Sequence, residues 1–158
     1  MSDNNGTSRP LSNTLSAAQD GHMSIAMSAE DFIHVERDCE HFKAAIQDIQ
    51  AIADQIARQP HWGLGENNDP MISARTVVDR FKAKANEAGD GNSVYEIMEQ
   101  HYKIVEDIQE VHRIVRQRMM DTDAEFAAEF QRLSTELEER PPVQPELGPY
   151  LLPDGSAR

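Results

Sequence analysis

The residues best suited to chemistry cluster early in the first helical stretch of the chain. His34, Asp38 and His41 follow one another at steps of four and three, so they share one face of a helix. Imidazole and carboxylate groups at that spacing can bind zinc. Cys39, the single cysteine, lies among them and is the one candidate thiol nucleophile. These four residues define one hypothesis, a metal-dependent or thiol enzyme.

The surrounding sequence argues against that hypothesis. Glu, Lys and Arg flank the histidines, and no second cluster of ligands follows, which is typical of a solvated helix face. Cys39 lies in an apolar register, where free cysteine usually behaves as a small buried hydrophobe. A nucleophile needs a base that a third group orients, and no such set is evident. With no Gly-rich phosphate loop either, the sequence predicts a protein that is not an enzyme and holds no cofactor or metal.

Composition limits the classes of partner. The 158 residues include 28 acidic and 15 basic side chains, a formal net charge of -13. This charge repels nucleic acid and anionic membrane, since both need a positive footprint. No run approaches the roughly 20 apolar residues that span a bilayer, so we expect no membrane insertion. The N-terminus lacks the basic-then-apolar layout of a signal peptide, so export would not use the general secretory route.

Both ends of the chain differ in composition from its middle. Residues 1–27 are rich in Ser, Asn, Gly and Asp, and they predict a disordered arm because they offer little apolar surface to bury. Residues 141–158 contain most of the eight prolines, which interrupt helices, so this segment predicts an extended tail. Its apolar residues, Leu147 and Tyr150 to Leu152, leave a docking peptide as the alternative to a tail without contacts.

The first helix is predicted from a capping signal and an apolar period. Ser28 and Asp31 resemble a capping box. The apolar positions that follow, at alternating steps of three and four, are Phe32, Val35, Cys39, Phe42, Ile46, Ile49, Ala53 and Ile56. Such a seam predicts a long helix packed against another helix. Gln59-Pro60 ends it, because the residue before proline disfavours the α region.

The rest of residues 28–140 repeats this pattern. Asp69-Pro70 predicts a second helix start, and Ser93 with Glu96 forms a full capping box that predicts a third. His101 lies on the third seam, where a polar residue more often sets register than performs catalysis. Gly89 to Asn92 interrupts the second and third helices, and both a chain reversal and a kink within one arm remain open. The predicted fold is all-α, an antiparallel helical hairpin with a long C-terminal helical extension.

Two further features suggest a function. Trp62, the single tryptophan, occurs in the connection W-G-L-G, where Gly63 and Gly65 allow the chain to reverse and the indole ring covers the closed end of a hairpin. The third helix also carries two Y-x-x-x-E repeats, one of them Tyr102 to Glu106 and the other Tyr95 to Glu99. Residues four apart on a helix are neighbours, so each repeat places an aromatic ring beside a carboxylate.

Residues 28–106 resemble the WXG-type helical-hairpin substrates of type VII (ESX) secretion systems. Those proteins have two antiparallel helices joined by a turn that contains Trp-x-Gly, and many carry a Y-x-x-x-D/E signal just beyond the hairpin. Here Trp62 is followed directly by Gly63, so the turn departs from a literal W-x-G. The resemblance implies a protein of a type VII secretion locus, either a secreted substrate or a helical partner of one. It would be secreted by this non-classical route, or cytoplasmic before export.

The resemblance also implies a partner and a recognition site. Hairpins of this family pair side by side, so we expect a homo- or heterodimer through the helix seams and contact with the secretion machinery. A first helix of about 45 Å, at ~1.5 Å per residue, and an equal return arm from Pro70 would end near Gln100. Tyr102 and Glu106 would then lie just beyond the paired region, as the recognition pair. The alternative is a cytosolic coiled-coil adaptor or scaffold protein.

Overall fold

The computed structural model describes residues 9–86 and 88–138, and these contain five helices and no strand. The helices are α1 Ser12–Gln19, α2 Ala29–Arg58, α3 Ile72–Ala85, α4 Val94–Thr122 and α5 Ala124–Glu136. The all-α prediction is confirmed. Residues 1–8 of the predicted arm and the Pro-rich tail of residues 141–158 lie outside the described residues. Among the residues that the structure describes, no helix is both long and apolar enough to cross a membrane.

Side-chain caps set the start of the two longest helices. The hydroxyl of Ser28 accepts a hydrogen bond from the backbone N–H of Asp31, whose carboxylate bonds back to Ser28, and Ser93 and Glu96 repeat the arrangement at the start of α4. Each pair satisfies N–H groups that have no partner inside the helix, as the sequence predicted. The predicted start of a helix at Asp69-Pro70 is wrong. Those residues lie in a turn, and α3 begins at Ile72 with no side-chain cap.

Helices α2 and α4 lie antiparallel along most of their length. Earlier residues of α2 contact progressively later residues of α4. The side-chain contacts that establish this direction are Gln50 with Glu99, Lys43 with Gln109, and Glu36 with Arg113. Helix α4 therefore forms most of the arm that runs antiparallel to α2. The sequence predicted an arm that begins at Pro70.

Helix α3 is the first part of this returning arm. Near its end, the Asn86 side chain donates a hydrogen bond to the Asp54 carboxylate at 3.2 Å, while the start of α4 lies beside Gln50. The partners on α2 thus continue in order from α3 into α4. Gly89 and Gly91, both with φ near +71°, form a break within one arm and not a reversal. The question that the sequence left open is settled in favour of the kink.

The prediction of a disordered arm over residues 1–27 is wrong from residue 9 onward. Leu15 and Ala18 of α1 are buried, and Met23, Ile25 and Met27 of the connection to α2 pack against the same core. The carboxylate of Asp107 on α4 accepts the backbone N–H of Leu11, which fixes the start of α1. Composition alone missed this helix because its small apolar surface is buried only when α4 provides the opposite wall.

The hydrophobic core lies at one end of the molecule, where α1, the beginning of α2, the end of α4, and α5 come together. Phe32, 2% exposed, packs edge-on against Phe126 with the ring centroids 5.9 Å apart. The buried members of this core are Leu15, Ala18, Ala29, Phe32, Val111, Val115 and Phe126. The opposite end, near Trp62, has only the α2 and returning-arm helices in the described part of the chain. The molecule thus has a four-helix end and a two-helix end.

The predicted seam of α2 is only partly buried. Phe32, Cys39, Ile46 and Ala53 face inward, as predicted, but Phe42, Ile49 and Ile56 are exposed at 63%, 42% and 37%. Ile33 and Gln50 are buried although the heptad pattern excluded them. A heptad pattern shows that a face is apolar and gives no information on which side of it a neighbour lies. Here α4 covers one edge of the apolar face and leaves the other edge open.

Candidate functional site

The turn at the two-helix end contains the predicted Trp62, Gly63 and Gly65. The indole ring stacks on Phe81 of α3, with centroids 5.8 Å apart and planes 11° apart, and its N–H donates to the Gln59 carbonyl at 3.3 Å. Trp62 is half-buried, so it covers part of this end without closing it. Gly63 and Gly65 have φ of +72° and +88°, a conformation that glycine adopts without strain. The predicted chain reversal at these glycines is observed.

Glu66 organises this turn, and sequence reasoning missed it. Its carboxylate accepts the backbone N–H of Trp62 at 2.6 Å and that of Leu64 at 3.0 Å. Hydrogen bonds from backbone N–H groups, that of Trp62 first, lower the pKa of Glu66 to about 2. Charge-assisted bonds of this kind are stronger than neutral ones. A carboxylate directly after Gly65, four and two residues beyond the N–H groups of Trp62 and Leu64, was the available signal.

Tyr102 and Glu106 do not lie beyond the paired region. They fall in α4 between Glu99, which contacts Gln50 of α2, and Gln109, which contacts Lys43. The tyrosine is half-buried and the glutamate is exposed. Their predicted position is therefore wrong. The reason is that the connection and α3 take up the residues that were assigned to pairing, so α4 reaches the start of α2 only near Arg113.

Tyr95 and Glu99 also lie within the paired region, as predicted. Gln50 of α2, which is buried, donates hydrogen bonds to the Glu99 carboxylate at 3.2 Å and to the Tyr95 carbonyl at 3.4 Å. Glu99 therefore has a structural partner on α2. The two Y-x-x-x-E repeats differ in this respect, because the carboxylate of Glu106 is exposed to solvent.

The His34, Asp38 and His41 set does not converge on a site. His34 approaches Glu30 of its own helix at 3.4 Å, and Asp38 is exposed. The Nδ1 atom of His41 is buried without a hydrogen-bond partner among the described residues. Across residues 9–86 and 88–138, no group of three or more His, Cys, Asp or Glu side chains is placed to hold a metal ion.

Cys39 is buried, in agreement with its predicted place on the α2 seam. Burial raises the pKa of the Cys39 thiol, and the nearby Glu36 carboxylate raises it further. Both effects favour the neutral thiol, whereas a nucleophilic cysteine requires the thiolate. The environment of Cys39 is therefore the opposite of the one that activates a thiol.

A polar cluster joins the middle of α2 to α4. The Gln109 amide, 3% exposed, donates to Glu36 at 2.8 Å and Glu40 at 2.6 Å, and it accepts a bond from Lys43 at 2.9 Å. The bond from Gln109 and that from Lys43 lower the pKa of Glu40, so the carboxylate stays charged. Since every partner is satisfied, the cluster fixes the register of the two helices. It resembles a structural layer and not an acid/base pair.

The exposed edge of α2 forms a continuous apolar surface. We call Phe42, Ile49, Ile52 and Ile56 the α2 stripe; at 100° per residue they fall within an arc of roughly 80°. Helix α3 packs beside the end of α2. Its residues Val77 and Phe81 are also exposed, at 40% and 53%. His101, predicted on a seam, is exposed on α4. The two-helix end therefore presents most of the large exposed apolar side chains of the described residues.

Two surface clefts lie at this same end. One is lined by the ends of α2 and α3, including Asp54 and Lys82, and the other by the turn, including His61 and Glu66. Neither includes the residues around Cys39. No family model matches the chain, and no curated protein or solved structure is significantly similar to it. The proposed function therefore rests on the geometry of the two-helix end.

Proposed function

We propose that this chain is a non-enzymatic protein that acts by pairing its helices with those of another helical protein. The observation that carries this proposal is the α2 stripe. A helix of 30 residues exposes Phe42 at 63% and Ile52 at 55%, although its opposite edge is buried against α4. Contiguous exposed apolar surface of this kind typically marks a protein interaction site. A partner helix lying along the stripe would complete a bundle at the two-helix end.

The non-enzymatic part of the proposal is supported by the state of the candidate chemical groups. The Cys39 thiol is buried with its pKa raised, and the carboxylates of Glu36 and Glu40 are bonded to Gln109. The clefts of the two-helix end lie away from these residues, so the polar groups and the concave surfaces do not coincide.

The setting that we propose is a type VII secretion locus. Two features support it: antiparallel helical arms, and a turn in which Trp62 stacks on the returning arm beside Gly63 and Gly65. In this setting the chain is a secreted substrate or the helical partner of one. Glu106, exposed on α4, and the neighbouring Tyr102 are the proposed recognition pair for the secretion machinery.

One observation favours the alternative, a cytosolic coiled-coil adaptor. Tyr102 and Glu106 lie beside α2 and not on a free helical extension, so a recognition factor would have to approach α4 along the paired region. An adaptor needs no such access. The α2 stripe serves both candidates equally well, and export therefore distinguishes them.

The experiment that separates the candidates measures export from a host with the cognate secretion system. We expect the parent protein in the medium, and Tyr102→Ala with Glu106→Gln to remain in the cells. The matched control is Tyr95→Ala with Glu99→Gln, whose export we expect to continue. Thermal melting of both variants checks folding, because Tyr102 is half-buried. Equal export of the Tyr102 and Glu106 variant, or no export of the parent, would favour the adaptor.

A further inference from the structure

We propose that the partner on the α2 stripe is an amphipathic helix of another protein, acidic along the edge that faces α3 and basic along the edge that faces Asp48. This inference rests on the proposed function, because it names the chemistry of the partner at the same surface. Three observations support it: the charge of α3, the side of α3 that lies beside the stripe, and the charge at the outer edge of α2.

Helix α3 differs in charge from the other helices. Its 14 residues include four basic residues and one acidic residue, a net charge of +3, whereas α2 contains seven acidic and three basic residues, a net charge of -4. Helices α4 and α5 are also net negative, and α1 has no charged residue. In a chain with a net charge of -13, the part of the two-helix end that α3 forms is therefore locally positive.

The two sides of the packed α2 and α3 pair differ. On one side, a cleft is lined by Asp54 and Arg58 of α2 and by Lys82 and Asn86 of α3. The stripe residue Ile56 lies about 160° around α2 from both Asp54 and Arg58, at ~100° per residue. The α2 stripe therefore lies on the side of the pair opposite to this cleft.

The exposed apolar residues of α3 lie on the same side as the stripe. Val77 and Phe81 are about 140° and 100° around α3 from Lys82, which lines the cleft. Arg80 and Lys84 each follow one of them by three positions, so they are neighbours on the helix surface, and both are exposed. A helix that lies along the stripe and reaches Val77 and Phe81 therefore has Arg80 and Lys84 at one edge.

Both of these cations can pair with a partner. Lys84 approaches Asp90 at 3.5 Å, but both side chains are more than half exposed, so this ion pair contributes little. Arg80 forms no ion pair with any residue that the structure describes. Carboxylates on the facing edge of a bound helix would therefore gain two cationic neighbours without breaking a strong contact.

The outer edge of the α2 stripe has the opposite charge. Asp48 lies four positions before Ile52, and Asp38 lies four positions before Phe42, so each aspartate is next to a stripe residue. Both are exposed, and within residues 9–86 and 88–138 neither forms an ion pair. The surface thus has an apolar floor, a positive edge near the turn and a negative edge along α2.

A helix with complementary edges fits this surface. From Phe42 to Ile56 the stripe runs about 21 Å at ~1.5 Å per residue, a length that four turns of a partner helix cover. Charges that border an apolar helix seam determine which partner pairs with it. A second copy of this chain fits less well, because each copy carries a net charge of -13 and the two copies repel one another.

The test uses the full-length protein and two synthetic peptides, stapled to remain helical, that share one apolar face. The mixed-edge peptide has glutamates along one edge of that face and lysines along the other, and the lysine-edge peptide has lysines along both. Isothermal titration is done at physiological ionic strength, where charges beyond about 8 Å are screened. We expect the mixed-edge peptide to bind about tenfold more tightly, although the net charge of -13 favours the lysine-edge peptide.

Charge reversal in α3 gives a matched pair of variants. Arg80→Glu with Lys84→Glu should weaken binding of the mixed-edge peptide about tenfold and strengthen binding of the lysine-edge peptide. Arg75→Glu with Lys82→Glu makes the same change in net charge on the side of α3 that faces the cleft, so it should bind both peptides like the parent. Thermal melting confirms that both variants are folded.

Tighter binding of the lysine-edge peptide by the parent, equal effects of the two charge-reversal variants, or no binding of either peptide would overturn the proposal. Self-association of the parent that Ile49→Asp with Ile52→Asp abolishes would overturn it in favour of a second copy. Equal affinity for both peptides that the same isoleucine variant abolishes would refute the assigned charges and leave the pairing function intact. Peptide binding that this variant does not change would instead count against the stripe itself.

Discussion

The carboxylate of Asp107, in the middle of α4, accepts a hydrogen bond at 2.9 Å from the backbone N–H of Leu11, at the start of α1. It also accepts one from the Arg9 guanidinium at 2.5 Å, and its own exposure is 1%. A buried carboxylate on one helix thus caps the start of another that is distant in sequence. This contact holds α1 against α4, so that Leu15 and Ala18 become part of the core.

We predict that Asp107→Ala lowers the free energy of unfolding by about 1–3 kcal/mol, the cost of leaving a buried donor without a partner. Most of the loss comes from the Leu11 N–H, because Arg9 is half exposed and its ion pair is screened by solvent. Urea denaturation measures the change, and Asp107→Asn, which keeps an acceptor oxygen, should lose less. Equal stability of the alanine variant and the parent would refute this role.

The location of the core gives a second prediction. Phe32→Ala should cost about 3–5 kcal/mol, because Phe32 is buried against Phe126 at the four-helix end. Phe81→Ala at the two-helix end should cost much less, since Phe81 is half exposed and stacks on the half-buried Trp62. Thermal or chemical denaturation of the two variants compares them directly. A larger loss of stability for Phe81→Ala than for Phe32→Ala would contradict the location of the main core at the four-helix end.

A third prediction concerns pH. Hydrogen bonds from the turn, that of Trp62 first, depress the folded pKa of Glu66 to about 2, below the ordinary glutamate value of about 4.3. A depressed folded pKa stabilises the turn above the unfolded pKa, and this stabilisation is lost as pH falls from about 4.3 through about 2. Carbon NMR of the Glu66 carboxyl should show a midpoint near 2. Glu66→Gln should remove that titration and the accompanying change in Trp62 fluorescence; a midpoint near 4 would contradict the turn geometry.

Local signals in the sequence were sufficient for much of the fold. Ser28 and Ser93 correctly marked the starts of α2 and α4, and Pro60 correctly followed the end of α2, because capping and proline effects act within a few residues. The helix α1 was missed because its burial depends on Asp107, which is 96 positions away from Leu11. No short-range pattern encodes that contact.

The candidate site was less predictable, for a related reason. The turn glycines were identified correctly, since positive φ is a local property of glycine. The position of Tyr102 depended on where α2 and α4 pair, and this register is fixed by Gln109 and Gln50, two polar residues that the apolar pattern ignores. The exposure of Phe42 likewise depends on which edge of α2 faces α4. Apolar periodicity identifies a face without identifying its neighbour.

The central claim is that the α2 stripe binds a helical partner, and isothermal titration with any helical protein that a neighbouring gene encodes tests it most directly. We predict binding by the parent and a loss of affinity of about a hundredfold or more for Ile49→Asp with Ile52→Asp, since each buried isoleucine contributes about 1.5–3 kcal/mol. Both positions are exposed, so the variant should stay folded. The control, Ala44→Asp with Ala51→Asp on an exposed face about 120° around α2 from the two isoleucines, should bind like the parent. Equal binding by the stripe variant and the parent, or the same loss in the control, would contradict the claim.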